Sequence, residues 1–295
     1  MRKMLAIAGL SLALALSSQS LAAEIEWTKV DTALGKTANV QGDVHRYGIP
    51  RGDLQVTLDG VAIKPALALG GLVAFEPAQD GALVMGDLVL TENEVNPVMT
   101  KLLQGGIEIT ALHSHLIRAT PATLYMHVRG HWDPVKLATV IRQALADSKT
   151  PFEPATTSPS QTAKIDLDTD KLDKVLGAKG KVNSGVYQFS IPRRASVTEN
   201  GMSASPAMGT GTAINFQPTG GGKAAIAGDF VVTAEEVNPM IRALRENGIE
   251  VFAILSHMLE EQPRLFFVHF WANDDAVKLA AGLRAALDKM AVARS

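Results

Sequence analysis

No cysteine occurs among the 295 residues. That absence removes disulfides, thiolate metal sites, iron–sulfur clusters and thiol nucleophiles together. An excess of charge of one sign is missing too. The chain sets 28 Lys and Arg against 30 Asp and Glu, which leaves no field to hold a phosphate backbone and argues against nucleic acid as a partner. After the N-terminal segment no apolar run approaches the roughly 20 residues of a membrane-crossing helix, so no transmembrane segment is expected. Aromatic residues are sparse at 5%. Trp27, Trp132 and Trp271 do not recur at matching places in the two copies described below, so they read as packing residues rather than as a sugar-binding platform. A phosphate loop, a His-Glu-x-x-His pair and a Gly-x-Ser-x-Gly elbow are all missing from the sequence.

What is present is a chain 46% hydrophobic and 20% charged, globular and long enough for two cores. Arg2 and Lys3 precede an apolar run from Met4 to Leu16, then polar Ser17–Ser20 and the small residues Ala22 and Ala23. That is the pattern of a signal peptide over residues 1–22, cut after Ala22. The mature protein is therefore expected in the periplasm. Without a cysteine near the cut it has no lipid anchor.

Residues 86–145 align with 228–287 without a gap and share Gly-Asp, Thr-x-x-Glu-Val-Asn-Pro, Gly-Ile-Glu, Ser-His and Val-Lys-Leu-Ala. The chain is a tandem duplication. The copies are expected over 23–147 and 165–295, joined by a Ser/Thr/Pro-rich linker at 148–164. Each reads as α+β. A helix ends on Gly35 or Gly177, hairpins turn at Asp59-Gly60 and Asn200-Gly201, and a ferredoxin-like βαββα portion runs from residue 84. Glu94 and Glu236 each follow a threonine by three positions, as in a capping box, which explains them better than catalysis does. Asn96-Pro97 offers a second helix start. Arg51 and Arg193, each after Ile-Pro, read as solvated turn residues, with anion binding as the alternative.

Thr91–Pro97, Ala111–Leu116 and His127, with their echoes at Thr233–Pro239, Ala253–Leu259 and His269, carry a resemblance. So does Ile249–Asp275, with its Leu-Ser-His-Met and His-Phe-Trp-Ala. On these residues the chain resembles the LppY/LpqO family of exported proteins, a domain of unknown function named for mycobacterial lipoproteins. It departs from the lipoprotein pattern by lacking the lipidation cysteine, and the resemblance implies no activity.

Four of the seven histidines, His113, His115, His127 and His131, fall within nineteen residues. If two strands turn around Thr120-Pro121, His115 lies opposite His127 and His113 shares their face. That is a three-histidine set of the kind that holds zinc, with His131 as a further ligand. The second copy keeps the pair as His257 and His269, and has Leu255 in place of His113. Glu108 and Glu250 fall on the opposite face if no bulge intervenes, and Ser114 and Ser256 point away from their neighbouring histidines. A histidine pair packed in a sheet needs no ion, so a structural role stands beside the metal one. The leading reading is a soluble periplasmic binding protein for a small ligand or a transition-metal ion, zinc or copper, at His113, His115, His127, His257 and His269. The alternatives are a zinc-dependent hydrolase or lyase, in which three histidines activate water, and a scaffold for another envelope protein. Three histidines against two point to one strong site in the first copy, unless the halves pool His115, His127, His257 and His269 across the pseudo-symmetry axis into one four-histidine site.

Export has a direct check. The intact mass of the secreted protein should correspond to a chain starting at Ala23, or at Glu24 if the neighbouring site is cut, whereas a full-length product would contradict it.

Overall fold

The computed structural model describes residues 24–152 and 165–293. The expected signal peptide and most of the expected linker lie outside these residues. Each copy is α+β, as expected. The first runs α1 (Trp27–Leu34), β1 (Asn39–Gln41), β2 (Val44–Pro50), β3 (Gly70–Ala78), β4 (Gly81–Leu90), α2 (Glu92–Gln104), β5 (Glu108–His113), β6 (Leu124–Trp132) and α3 (Pro134–Leu145). The second repeats this as α4 (Thr169–Leu176), β7 (Lys181–Asn183), β8 (Val186–Ile191), β9 (Thr212–Gly220), β10 (Lys223–Val232), α5 (Ala234–Glu246), β11 (Glu250–Leu255), β12 (Phe266–Asp275) and α6 (Ala276–Leu287). Each copy builds one six-stranded sheet, ordered β1-β2-β3-β4-β6-β5 and β7-β8-β9-β10-β12-β11. All neighbours are antiparallel, so β4 and β5 run parallel with β6 between them, the split βαβ of a ferredoxin-like unit.

Local chemistry sets the elements. Gly35 and Gly177 take left-handed φ values of 74° and 69° and close α1 and α4 through backbone N–H bonds, at no cost to a residue without Cβ. Of the two helix starts open to α2, Thr91 wins, and its reciprocal bonds with Glu94 recur between Thr233 and Glu236. Pro97 and Pro239 consequently lie inside their helices. The Asp59-Gly60 and Asn200-Gly201 turns both join short hairpins with positive φ at both residues.

Helices cover one face of each sheet. Val30, Leu34, Val98, Leu102, Leu137 and Ile141 pack there on Tyr47, Phe75, Val84 and Met126, and the second copy builds the matching core around Phe216, Phe230 and Phe270. The other face of each sheet is covered by its twin. Tyr125, Val89 and Leu116 share an apolar cluster with Ala225, Ala227 and Trp271, while Leu83 and Ala74 share another with Val231, Met258 and Phe267. Each copy also lends an arm. The segment around helix Pro65–Ala68 lies on the second sheet, where Gln188 and Asn215 donate to the carbonyls of Ala66 and Leu67. The 3-10 turn Pro206–Met208 lies against the first sheet, and Ser205 N–H donates to Glu76.

The arginine reading needs correction. Arg51 is 1% exposed and Arg193 8% exposed, so neither is a solvated turn residue. Arg51 forms two bonds to Glu94, at 2.8 and 3.2 Å, and donates to the Val89 carbonyl. Arg193 repeats this with Glu236 and Val231. The capping carboxylate is thus also the partner of a buried guanidinium, which together with backbone donors outweighs burial and holds Glu94 at about 2.

Candidate metal centre between the repeats

The histidines lie in the seam where the two sheets meet, between the two apolar clusters just described. Cross-strand register places them. Asp87 on β4 stands opposite His127 on β6, and Asp229 on β10 stands opposite His269 on β12. His113 ends β5, while His115 and His257 follow β5 and β11 in the connecting loops. All five expected ligands converge. His115, His127, His257 and His269 are buried and His113 is half-buried.

The expected hairpin register is wrong. Ala111, not His115, lies opposite His127, and His113 lies opposite Tyr125, four positions from the expected pairing, because β5 ends at His113 and the chain reaches β6 through the loop 114–123 rather than a tight turn at Thr120-Pro121. A bulge between Ile109 and Ala111 shifts the pairing by one more. The same bulge recurs between Val251 and Ala253. The bulge also brings Glu108 onto the histidine face, the exception that the expected placement allowed for. There its carboxylate takes Arg129 at 2.8 Å, and Glu250 takes Arg118, so neither joins the cluster. His131 does not join it either. It is exposed and bonds the Gln79 carbonyl at 2.8 Å.

His113 Nε2 lies 3.0 Å from His127 Nε2, and His257 Nε2 lies 3.3 Å from His269 Nε2. One ligand nitrogen each from His113, His257 and His269 falls within 4.8 Å of the other two. For comparison, zinc–nitrogen bonds of about 2.0–2.1 Å in a tetrahedron put ligand nitrogens roughly 3.3–3.4 Å apart. The rings are also stacked. His127 lies over His257 with centroids 3.6 Å apart, and His257 over Phe267 at 3.8 Å. The cluster therefore draws on both copies, but the group that closes is His113, His257 and His269 rather than the pooled His115, His127, His257 and His269.

His115 turns instead to Asp229, with Nε2 2.9 Å from Oδ1, and the same carboxylate takes His269 Nδ1. With its Nδ1 proton donated to Asp229, His269 presents a bare Nε2 to His257. His113 is set in the same way, its Nδ1 3.2 Å from the Ser114 carbonyl. Both aspartates escaped the sequence reading, although the shared Gly-Asp was visible. A charged residue inside the apolar strands Gly81–Leu90 and Lys223–Val232 was the signal available. The glycine before Asp229 is required by packing, since a Cβ on Gly228 would lie 1.9 Å from the Ala213 carbonyl oxygen.

Burial governs the charges. It lowers His127 and His257 well below the ordinary histidine range, helped by the neighbouring rings, and it lowers His113 to about 4. His269 is lowered by burial and by His115, partly offset by Asp229. At His115 burial also disfavours charge, but the Asp229 carboxylate outweighs it and raises the value, while the two histidines hold Asp229 well below the usual carboxylate range. Burial pushes Asp87 up to about 7. Burial thus favours the neutral, lone-pair-bearing form of four imidazoles, while Asp229 favours the charged form of His115.

The metal-free protein should lose stability on mild acidification. Four histidines have folded values below the unfolded value near 6.5, so as pH falls through about 6.5 the unfolded chain binds their protons first. His127 and His257, which burial holds furthest below the ordinary range, contribute most to that loss. His115 and Asp87, both raised, act in the opposite direction, two groups against four. The melting temperature should fall between about pH 7 and about pH 5. A level profile would show that the histidines are not held neutral.

Two solved structures match at low similarity. The trimeric bacterial microcompartment shell protein PduB matches over 88% of this chain and 95% of its own at 13% identity, with a TM-score of 0.23. EtuB from Clostridium kluyveri matches over 86% and 89% at 10% identity, with a TM-score of 0.21. At these scores neither bears on function. No curated protein matches the chain. A family model described as Domain of Unknown Function (DUF1259) matches twice, over residues 28–147 and 170–289, and the chain belongs to that family.

Proposed function

We propose that this protein is an exported metal-binding protein of the periplasm, free of a lipid anchor, that holds zinc or copper between its two sheets. The observation that carries the reading is the approach of His113, His257 and His269 to within 4.8 Å, with ligands drawn from both copies. Neutral imidazoles suit zinc and copper, whereas calcium and magnesium prefer oxygen ligands. The Asp229 carboxylate fixes the His269 tautomer as outer-sphere partners of metal-bound histidines do. Burial of every ring except His113 suits retention of an ion better than turnover of a substrate, which favours a binding protein over a hydrolase. Export rests on the N-terminal sequence alone.

Calorimetry on the tagless protein tests the reading. Zinc or copper should bind more tightly than about 100 μM, a free energy near −5.5 kcal/mol. His257→Ala and His269→Ala should weaken binding as strongly as His113→Ala does, by about 100-fold or roughly 2.7 kcal/mol. Full affinity in the second-copy variants would mean that the ion does not lie between the repeats, and the reading would fail.

A further inference from the structure

The seam holds more donors than one ion can use. His115 Nε2, the Asp229 carboxylate and one nitrogen of His269 form a second group whose ligand atoms lie within 4.8 Å of one another. It shares only His269 with the first group, and the two sides of that ring are divided between them. Nε2 faces His257 at 3.3 Å, and Nδ1 faces Asp229. His115 and His269 are buried, at 8% and 0% exposure.

The pseudo-symmetric counterpart, Asp87 with His127 and His257, is looser. His127 Nε2 stands 3.9 Å from Asp87 Oδ1, and that oxygen has no hydrogen-bond partner among the described residues. The duplicated set is therefore closed only on the Asp229 side.

We propose that the seam holds two first-row transition-metal ions, the second bound by His115 Nε2, Asp229 and His269 Nδ1, so that the His269 ring bridges the pair. This rests on the metal reading above and extends it from one ion to two. Two nitrogens and a carboxylate oxygen form a ligand set that zinc accepts with its fourth position open. As the ion enters, the proton between His115 Nε2 and Asp229 and the proton on His269 Nδ1 leave to solvent, and the Asp229 carboxylate supplies an anionic ligand.

Native mass spectrometry of the tagless full chain loaded with zinc counts the ions, and electron paramagnetic resonance of the copper(II) form reads their proximity. Two ions per chain and a magnetically coupled copper pair are expected. Asp229→Asn and His115→Gln should each leave one ion and turn the coupled spectrum into that of isolated copper. One uncoupled ion in the unsubstituted protein overturns the second site and leaves the first standing. No bound ion overturns both readings. Two ions that survive both substitutions overturn the assignment, because the second ion then lies elsewhere. Should either variant fail to fold, the count and coupling in the unsubstituted protein still decide the matter.

Discussion

A sheet with helices on one side only leaves its other face in need of cover, and in this protein the second copy supplies that cover. Each repeat buries one face under α1, α2 and α3 or their counterparts, and presents the other to its twin. The exchanged segments around Pro65–Ala68 and Pro206–Met208 extend the contact beyond the sheets. Because Val89, Tyr125, Val231 and Phe267 reach across the seam, the approach of the histidines is a consequence of sheet packing. Neither copy holds the site alone, since His113 comes from the first copy and His257 and His269 from the second.

Polar groups in such a seam need partners. Here the two apolar clusters flank a belt of imidazoles that hydrogen-bond one another, and Asp229 accepts from two rings. Removing one partner of a buried charge pair costs about 3–5 kcal/mol in proteins generally, so His115 and Asp229 hold each other in place as well as the rings around them. Two protein functions are thus served by the same side chains. They fix how the sheets meet, and they bring ligand nitrogens of His113, His257 and His269 within 4.8 Å of one another.

Local signals were the legible part. The glycine stops at Gly35 and Gly177, the capping boxes at Thr91 and Thr233 and the two hairpin turns depend on neighbours a few residues away, and all form as read. The ungapped offset also gave the internal symmetry, and the pooling of histidines was open as one of two arrangements. Three things were hidden. The early end of β5 at His113 and the long loop 114–123 have no residue that announces them, and they moved the register by four, with the bulge after Ile109 adding one more. The burial of Arg51 depends on Glu94, 43 positions away, which no window of sequence displays. The place of Asp229 depends on which histidine of the other copy turns toward it, and pairing rules within one hairpin cannot supply that.

The proposed metal ion would occupy the seam between the repeats. X-ray diffraction from crystals of the zinc- or copper-loaded protein, collected on both sides of the metal absorption edge, tests it most directly. An anomalous peak is expected between the two sheets, ringed by His113, His257 and His269. A map with no peak in the seam, or with its strongest peak at the exposed His131, would contradict it.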